Sequence, residues 1–384
     1  MKKKFLITGY NLNDYHGSMM HISELAKVLS EKNFEVYITG IEISKNIVNF
    51  IESKSNAKVY FIDKLPVDIE YDYVLIHHDV ILPYLLDRGL KYKKIATMSL
   101  SAIENIEHPG IQSIKGVPLF VHSIELQNMY KDEYNIEAHI FLNSVTNEFD
   151  VKIQNRTKLK NIAIVSNHLP KELVDVCQIF KKNNYDIDVY GTGYKKEPIT
   201  AAILKKYDLI ITIGKTVQYA LYMGIPVYNY DRFGGIGYIR NENINIAEKH
   251  NFSGRDCFRK LNSNEIFQEI ISQYLDVLND MHNLKQLAKE RYSLEKNIDN
   301  LLEIIDNSVI TDYFNTPEWK MYSAVCIDYC KHIIKYKHFL LQSKKLAHEP
   351  IALYKLINKI TLGKCFRNKL MVYYNLEKYQ SMLI

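Results

Sequence analysis

The stretch YDLIITIGKTVQYALYMGIPVYNYD, Tyr207–Asp231, decides the predicted fold. Its apolar residues indicate a strand at Leu209–Ile213, a helix that continues to Gly224, and a second strand at Val227–Tyr230. A strand, a helix and a second strand in this order predict a right-handed crossover between neighbouring parallel strands. The stretch therefore predicts one unit of a parallel sheet that is covered by helices.

Gly214, Lys215 and Thr216 stand at the point where the first strand passes into the helix. The first N–H groups of a helix have no acceptor within it, and together with the positive helix end they attract anions. This pattern favours a phosphate site, although the upstream glycine of a complete P-loop is missing. The alternative interpretation is a plain strand-to-helix turn with an exposed lysine.

The same alternation of strands and helices extends in both directions from this stretch. Helical periodicity is clear in Ser18–Lys32, Lys171–Lys182, Ser263–Leu278 and Leu284–Ile305, and a short helix is predicted around Thr200–Lys205. The further predicted strands are Phe5–Thr8, Val36–Thr39, Val59–Ile62, Val74–His77, Ile95–Met98, Leu119–His122, His139–Leu142, Asn161–Ser166 and Asp188–Tyr190.

Length and rhythm together predict two α/β domains. A chain of 384 residues with 47% hydrophobic residues is too long for one ordinary core. The alternation stops in the polar stretch Asn147–Leu159, which we interpret as a linker. We therefore expect two tandem Rossmann-like doubly wound domains, residues 1–150 and 151–306, with a cleft between them. Residues 307–384 are predicted to form a helical extension.

Composition limits where the protein is expected to work. The five cysteines are few and scattered, which favours a reducing compartment such as the cytoplasm. A membrane-spanning helix is not expected, because the chain has no run of 18 apolar residues. Residues 331–384 carry eleven Lys and Arg but only two Asp and Glu, so the extension is basic. Such a segment suits an anionic membrane, another subunit or the first domain, while no recognised nucleic-acid module is present.

Polar and glycine residues follow several strands of the second domain. Asn167 and His168 follow its first strand, and Gly191 and Gly193 follow its second. Ligands of open α/β sheets gather beyond the carboxyl ends of strands, so these four residues are candidates for donor binding. A helix cap at Asn167 and an ordinary flexible loop at the glycines are the alternatives.

Asp231 and Arg232 end the last strand of the opening stretch, and a glycine-rich segment that includes Gly234 and Gly235 follows them. Glycines without side chains permit a close approach of the backbone to a ligand or form a mobile lid. We include these four residues among the candidates for donor binding, with a surface turn as the alternative.

The first domain offers its own candidates at the cleft. His78 and Asp79 close the strand Val74–His77, and either side chain has the chemistry of a general base. His16 and Gly17, in the loop after the first strand, are candidates for contact with an acceptor or a diphosphate. A buried structural histidine is the alternative for each imidazole.

Two motifs resemble the bacterial glycosyltransferase family 4-like enzymes, which have the two-Rossmann GT-B architecture. The first is Gly17-Ser18 followed by the helix segment ELAKVL, Glu24–Leu29. The second is ALYMGIPV, Ala220–Val227, in which an alanine-containing helix ends at a glycine that is followed by proline and valine. The resemblance covers roughly residues 3–305 and implies that the second domain binds a nucleotide-diphosphate sugar.

The chain departs from that family at two positions. The family carries two glutamates around this helix, and Ile211 and Tyr219 occupy the aligned positions here. The ribose contact must then come from another residue, for which Asp231 is the first candidate and Glu242 the second. The departure also leaves open whether the reaction retains or inverts the configuration of the sugar.

The resemblance implies a metal-independent hexosyltransferase that moves a sugar, with UDP favoured as the carrier, to a hydroxyl of a glycan, lipid-linked or protein-linked acceptor. No cofactor besides the donor is expected. It further implies Lys215 and Arg232 as phosphate partners and attachment of residues 331–384 to the inner face of the cell membrane. If the reaction inverts the configuration of the sugar, Asp79 is the preferred base. Alternatives are a nucleotide-sugar 2-epimerase and a non-catalytic scaffold partner of an active transferase. An oligomer is left open.

Overall fold

The structure is a computed structural model. It describes residues 2–101, 104, 107, 116–153, 156–255, 257–309 and 313–346, with side chains as far as residue 336. Part of the predicted basic extension, residues 347–384, lies outside the described residues.

The first sheet has seven parallel strands in the order β3-β2-β1-β4-β5-β6-β7. At its centre Ile7 lies beside Ile38 on one side and Leu75 on the other, and all three are fully buried. The strands are β1 Lys4–Leu12, β2 Glu35–Ile43, β3 Lys58–Phe61, β4 Glu70–Ile76, β5 Lys91–Ser99, β6 Leu119–Val121 and β7 Ala138–Ile140. The helices are α1 Gly17–Glu31, α2 Lys45–Lys54, α3 Ile81–Asp87 and α4 Ile124–Tyr134.

The second sheet has five strands in the order β12-β11-β10-β8-β9, and all of them are parallel except β12. The strands are β8 Asn161–Val165, β9 Asp186–Tyr190, β10 Leu209–Thr212, β11 Val227–Asp231 and β12 Gly234–Tyr238. The helices are α5 Lys171–Lys182, α6 Ala201–Leu204, α7 Lys215–Met223, α8 Ile244–Lys249 and α9 Ser263–Leu278. These two sheets confirm the predicted pair of Rossmann-like units.

The glycine-rich segment after Asp231 is a strand, so its interpretation as a mobile lid or a surface turn is wrong. Gly234 and Gly235 pair within β12, the antiparallel edge of the second sheet. A Cβ on Gly235 would lie 1.8 Å from the carbonyl oxygen of Asn229, and one on Gly234 would lie 2.2 Å from that of Arg259. Glycine is needed here because two backbones approach closely.

The predicted helix Leu284–Ile305 is divided into α10 Met281–Arg291 and α11 Leu294–Asn307. Between these two helices the backbone is hydrogen-bonded to Val145, which lies just before the predicted linker. Val145 N–H donates to the Tyr292 oxygen over 2.6 Å, and Leu294 N–H donates to the Val145 oxygen over 3.0 Å. These bonds replace the helical ones at the break.

α11 packs on the first domain, although it falls within the predicted second domain. Its apolar face packs into the same core as β1, β2 and α1, and consists of Leu294, Ile298, Leu301 and Ile305. The boundaries at 150 and 306 remain a prediction, but by its packing the chain returns to the first domain after Ser293.

The extension contains α12, Pro317–Leu346, whose described side chains cover the first domain. One face of it packs against the core beside α3 and consists of Trp319, Tyr322, Cys326, Cys330 and Ile333. The Cys330 thiol donates to the Val80 oxygen over 3.3 Å, and Lys331 pairs with Asp87 at 3.0 Å. In the described part of the chain, no helix combines the length and apolar character that a membrane span requires.

Candidate functional site

A cavity of about 240 Å³ lies between the two domains. It is bordered by the loop that follows β1 in the first sheet, by the loops that follow β8, β9 and β10 in the second, and by the last residue of β11, so it occupies the carboxyl edges of both sheets. Its lining residues from the first domain are Tyr15, His16, Gly17 and Met20. Those from the second domain include Ser166, Asn167, His168, Gly191, Lys195, Lys196, Lys215, Thr216 and Asp231.

The first turn of α7 borders this cavity. Gly214, its N-cap, has φ 60° and ψ −141°, a backbone conformation that glycine adopts most readily. Its N–H donates to the Phe252 oxygen over 3.1 Å, which fixes the turn. The N–H groups of Lys215 and Thr216 follow, and helical geometry provides no acceptor for them within α7. The turn is thus built to present amides to an anion.

The ammonium of Lys215 has a different environment from the one predicted for a phosphate ligand. Its Nζ lies 2.7 Å from Oε2 of Glu24 in α1 and donates to the Ser144 oxygen over 2.8 Å. The ring of Tyr219 covers it at 5.2 Å from the ring centroid. Lys215 is only 8% exposed, so in this arrangement its charge is directed to the first domain and not to the cavity.

Asp231 lies in the wall of the cavity at the end of β11. Its Oδ2 accepts from the Ser166 hydroxyl over 2.9 Å and its Oδ1 accepts from the Arg232 N–H over 2.7 Å. Burial raises the pKa of this carboxyl, while the two hydrogen bonds partly oppose that rise. The Ser166 hydroxyl also accepts from the His168 N–H over 3.0 Å, which links the loop after β8 to the end of β11.

The loops after β8 and β9 are in close contact. A Cβ on Gly191 would lie 1.9 Å from the Ser166 oxygen, and the φ of Gly191 is +128°. The Thr192 hydroxyl donates to Oδ1 of Asn167 over 3.4 Å. Gly191 and Asn167, both predicted for donor binding, therefore lie side by side at the cavity.

Two lysines of this region were missed by the sequence analysis. Lys195 and Lys196 line the cavity, and each is paired with a carboxylate: Lys195 with Asp188 at 2.6 Å and Lys196 with Asp14 at 2.6 Å. Asp14 belongs to the loop after β1, so the second pair joins the two domains at the cavity. Two adjacent lysines soon after Gly191 and Gly193 were a local signal for a phosphate site. Their position at the cavity could not be predicted, because it depends on contacts such as that of Lys196 with Asp14, far away in the sequence.

On the first-domain side, His16 caps α1. Its Nδ1 accepts from the Met19 N–H over 3.3 Å, and its Nε2 lies 3.1 Å from the Asn11 oxygen. Burial is the main cause of the lowered pKa of His16, which keeps the imidazole neutral near pH 7. His16 and Gly17 both line the cavity, and their contact with an acceptor or a diphosphate stays a prediction.

The predicted bases, His78 and Asp79, are buried and do not line the cavity. Nδ1 of His78 accepts from the Tyr10 N–H over 3.0 Å, and its Nε2 lies 3.3 Å from Oε1 of Glu107. Both ring nitrogens of His78 are therefore occupied in this arrangement. Asp79 is 5% exposed. The roles of His78 and Asp79 stay predictions.

Several other predicted donor residues do not line the cavity. Arg232 lies over the ring of Phe233, 4.7 Å from its centroid. Gly193 lies in the exposed part of its loop. Gly234 and Gly235 are buried in β12. Their close backbone contacts account for these two glycines without a ligand.

Three buried histidines are clustered in the first domain: His21 of α1, His77 after β4, and His122 after β6. The ring centroid of His21 is 5.5 Å from that of His77 and 5.0 Å from that of His122. Burial is the main cause that lowers the pKa of each, to about 4 for His122. Among the described residues, no group of three or more His, Cys, Asp or Glu side chains has the arrangement of a metal site.

Comparison of the structure with solved structures identifies the fold. The chain is similar to a glycosyltransferase from Rickettsia africae ESF-5, with 15% identity, a TM-score of 0.52, and coverage of 79% of this chain and 98% of that one. It is also similar to a mutant TarM of S. aureus in complex with fondaparinux, alpha-GlcNAc-glycerol and UDP, with 11% identity, a TM-score of 0.50, and coverage of 79% and 100%. At such identities the likeness establishes the fold, which is GT-B.

A putative UDP-N-acetylglucosamine 2-epimerase from Listeria monocytogenes is similar at 14% identity over 80% of this chain and 96% of that one, with a TM-score of 0.48. Neither a family model nor a curated protein sequence matches the chain.

Proposed function

We propose that the protein is a glycosyltransferase that moves a sugar from a nucleotide-diphosphate sugar to a hydroxyl of an acceptor. The observation that carries this proposal is the position of the α7 amino terminus at an interdomain cavity, at the carboxyl edges of both sheets. The amide donors at Lys215 and Thr216 suit the departing diphosphate, whose negative charge grows during transfer.

The two domains divide the work in this proposal. The second domain holds the donor through the Gly214–Thr216 turn, with Asn167, His168 and Gly191 beside it. Asp231 is the proposed ribose contact, because its carboxyl lies in the cavity wall and Tyr219 replaces the carboxylate of the resembled family. The first domain presents the acceptor near His16 and Gly17. Enclosure between two domains excludes water and aligns the reacting atoms.

The finer assignments belong to the same proposal. The resembled family 4-like enzymes favour UDP as the carrier, a hexosyl group, and catalysis without a metal. Asp79 is the preferred base for an inverting reaction, since both ring nitrogens of His78 are occupied. The acceptor is a glycan, free or linked to lipid or protein, in the assembly of a bacterial surface polysaccharide or glycoprotein.

The location follows from the acceptor and from charge. We place the enzyme in the cytoplasm, with residues 331–384 against the anionic inner face of the membrane. The segment carries eleven Lys and Arg, and six of them lie beyond Leu346, which supports that placement. The first part of the segment is packed on the first domain through α12, so the membrane contact is assigned to residues beyond Leu346.

Isothermal titration calorimetry with a panel of nucleoside diphosphates tests the proposal. We expect UDP to bind and Thr216→Val to weaken its binding, because the change replaces a hydroxyl that lines the cavity at the first turn of α7 by a methyl group. Thr157→Val is the matched control, since Thr157 is exposed and lies outside the cavity lining. If no nucleoside diphosphate binds, the proposed function is wrong.

A time course by NMR separates the remaining alternatives. A transferase forms a new glycoside only when an acceptor is added, whereas a 2-epimerase converts a UDP-sugar alone. Binding of UDP with neither reaction, and transfer that returns only with a second subunit, would identify a non-catalytic scaffold instead.

A further inference from the structure

In the described part of the chain, ion pairs between the two domains have the carboxylate in the first domain and the cation in the second. Besides Asp150–Lys289 at 2.7 Å, next to the predicted linker, there are three such pairs with Lys or Arg. They are Asp14–Lys196 at 2.6 Å, Glu24–Lys215 at 2.7 Å and Glu125–Arg255 at 2.5 Å. The first domain therefore presents an acidic face to a basic face of the second. Such complementarity holds two surfaces in one register.

Glu24–Lys215 is the buried member of the set, with both side chains at most 8% exposed. Oε1 of Glu24 accepts the hydrogen bond of the Tyr219 hydroxyl, and the Tyr219 ring is stacked on Phe149 at 4.1 Å. Burial is the main cause that raises the pKa of Glu24, and Lys215 and Tyr219 oppose that rise. This contact fixes one helix of each domain, α1 and α7, against the other.

The other two pairs are more accessible to solvent. Asp14 and Lys196 are both 52% exposed and lie where the loops after β1 and β9 meet at the cavity. Arg255 donates from Nε to Oε1 of Glu125 over 3.0 Å as well, so that pair is bidentate. Opening the cleft must break all three pairs.

The size of the cavity shows why opening matters. Its volume of about 240 Å³ is below the roughly 300–1,000 Å³ of sites that hold drug-sized ligands. A nucleotide-diphosphate sugar is at least as large as such ligands. The arrangement described here is therefore a closed one, and a whole donor requires the domains to separate.

We propose that Glu24, with Asp14 and Glu125, is an interdomain latch that holds the cleft closed and must release Lys215 and Lys196 when a nucleotide-diphosphate donor enters. The proposal rests on the proposed function for its ligand, while the latch itself is a property of the protein alone. Lys215 then has two partners, Glu24 in the closed state and the donor diphosphate in the open one. Glu24 is thus a positioning residue for Lys215.

A latch of this kind predicts a specific change in the affinity for a nucleoside diphosphate. If only a fraction of molecules is open, the apparent dissociation constant rises by the inverse of that fraction. Breaking the latch should therefore tighten the binding of a nucleoside diphosphate, whereas loss of an ordinary binding residue would weaken it. The two roles predict opposite signs.

The experiment compares the wild-type chain with Glu24→Gln and Asp14→Asn. Small-angle X-ray scattering without nucleotide measures the radius of gyration, and calorimetry measures the affinity for UDP. We expect both variants to have a larger radius of gyration than the wild type. UDP should bind about two- to five-fold more tightly to Asp14→Asn, an exposed pair. It should bind about ten-fold more tightly to Glu24→Gln, a buried pair.

Glu31→Gln is the matched control, because Glu31 is on the same helix and forms an exposed pair with Lys27 at 3.0 Å. It should match the wild type in both measurements. If Glu24→Gln does not fold, Asp14→Asn decides the question, since its side chain is exposed. An unchanged radius of gyration, or weaker binding of UDP by a folded variant, overturns the latch. If wild-type protein binds no nucleoside diphosphate, the proposed function fails and scattering alone decides the latch.

Discussion

Because three histidines of the first domain are buried, we predict that the protein loses stability in mild acid. His21, His77 and His122 have lowered pKa values because they are buried, and within the described part of the chain Nδ1 of His21, both ring nitrogens of His77 and Nε2 of His122 have no hydrogen-bond partner. The positive charge of Lys215 further lowers the pKa of His21 and His122, while Glu107 opposes this for His122. Protonation of any of them would place a charge among neighbours that cannot solvate it.

The magnitude follows from His122, whose folded pKa is about 4 against an ordinary value of 6.5. The unfolded chain takes up a proton first as the pH falls, so stability is complete above about pH 6.5 and declines until the pH reaches the folded pKa. Between pH 7 and pH 5 this one histidine removes about 2 kcal/mol from the free energy of unfolding. His21 and His77 act in the same direction.

Urea unfolding at pH 7, 6 and 5 measures this loss, followed by the fluorescence of Trp319. Trp319 is the single tryptophan and is packed against the first domain, so it reports on the domain that holds the histidines. We compare the wild type with His122→Gln, which keeps a neutral amide that can donate to the Phe141 oxygen, the present partner of Nδ1 at 2.7 Å. His282→Gln, at an exposed position of α10, is the matched control.

The variant His122→Gln should lose less stability than the wild type between pH 7 and pH 5, by about 2 kcal/mol. The control should follow the wild type. If His122→Gln and the wild type have the same pH dependence, then His122 is not held neutral by its surroundings and the reasoning is refuted.

Two further predictions concern a loop of the second domain and the basic extension. Gly191→Ala should lower the free energy of unfolding by about 1–3 kcal/mol in thermal or urea unfolding, because its Cβ would meet the Ser166 oxygen. Gly193 also has a positive φ but no atom within 4 Å of such a Cβ, so Gly193→Ala should lower the free energy of unfolding by less. Equal losses in the two variants would contradict the steric argument. Deletion of residues 347–384 should abolish sedimentation with anionic vesicles and leave UDP affinity intact, because α12 remains in place; equal sedimentation of both chains would remove the membrane proposal.

The elements of the opening stretch could be predicted because their signals are local. The predicted strand Leu209–Ile213 and the helix that ends before Gly224 agree with β10 and α7 to within about one residue. The apolar run, the glycine with positive φ and the proline after the helix all lie within that stretch.

The errors occurred where distant contacts decide the structure. Gly234 and Gly235 were interpreted as part of a lid or a surface turn, but they lie in a strand. The Arg259 backbone leaves no room for a side chain at Gly234, and the Asn229 backbone leaves none at Gly235. The break at Tyr292 carries no glycine or proline, and it exists because the backbone of Val145 bonds there. Neither contact leaves a local mark in the sequence.

Lys215 shows most clearly what a motif does and does not specify. The Gly-Lys-Thr pattern correctly indicated a turn between the carboxyl end of β10 and the start of α7, because its glycine and its helix are local features. It did not indicate the partner of the ammonium, because Glu24 lies 191 positions earlier and in the other domain. The turn at Lys215 and Thr216 borders the cavity, whereas the ammonium of Lys215 contacts Glu24 of α1. In the proposed function, an anion that binds the turn therefore also competes for the charge that joins the domains.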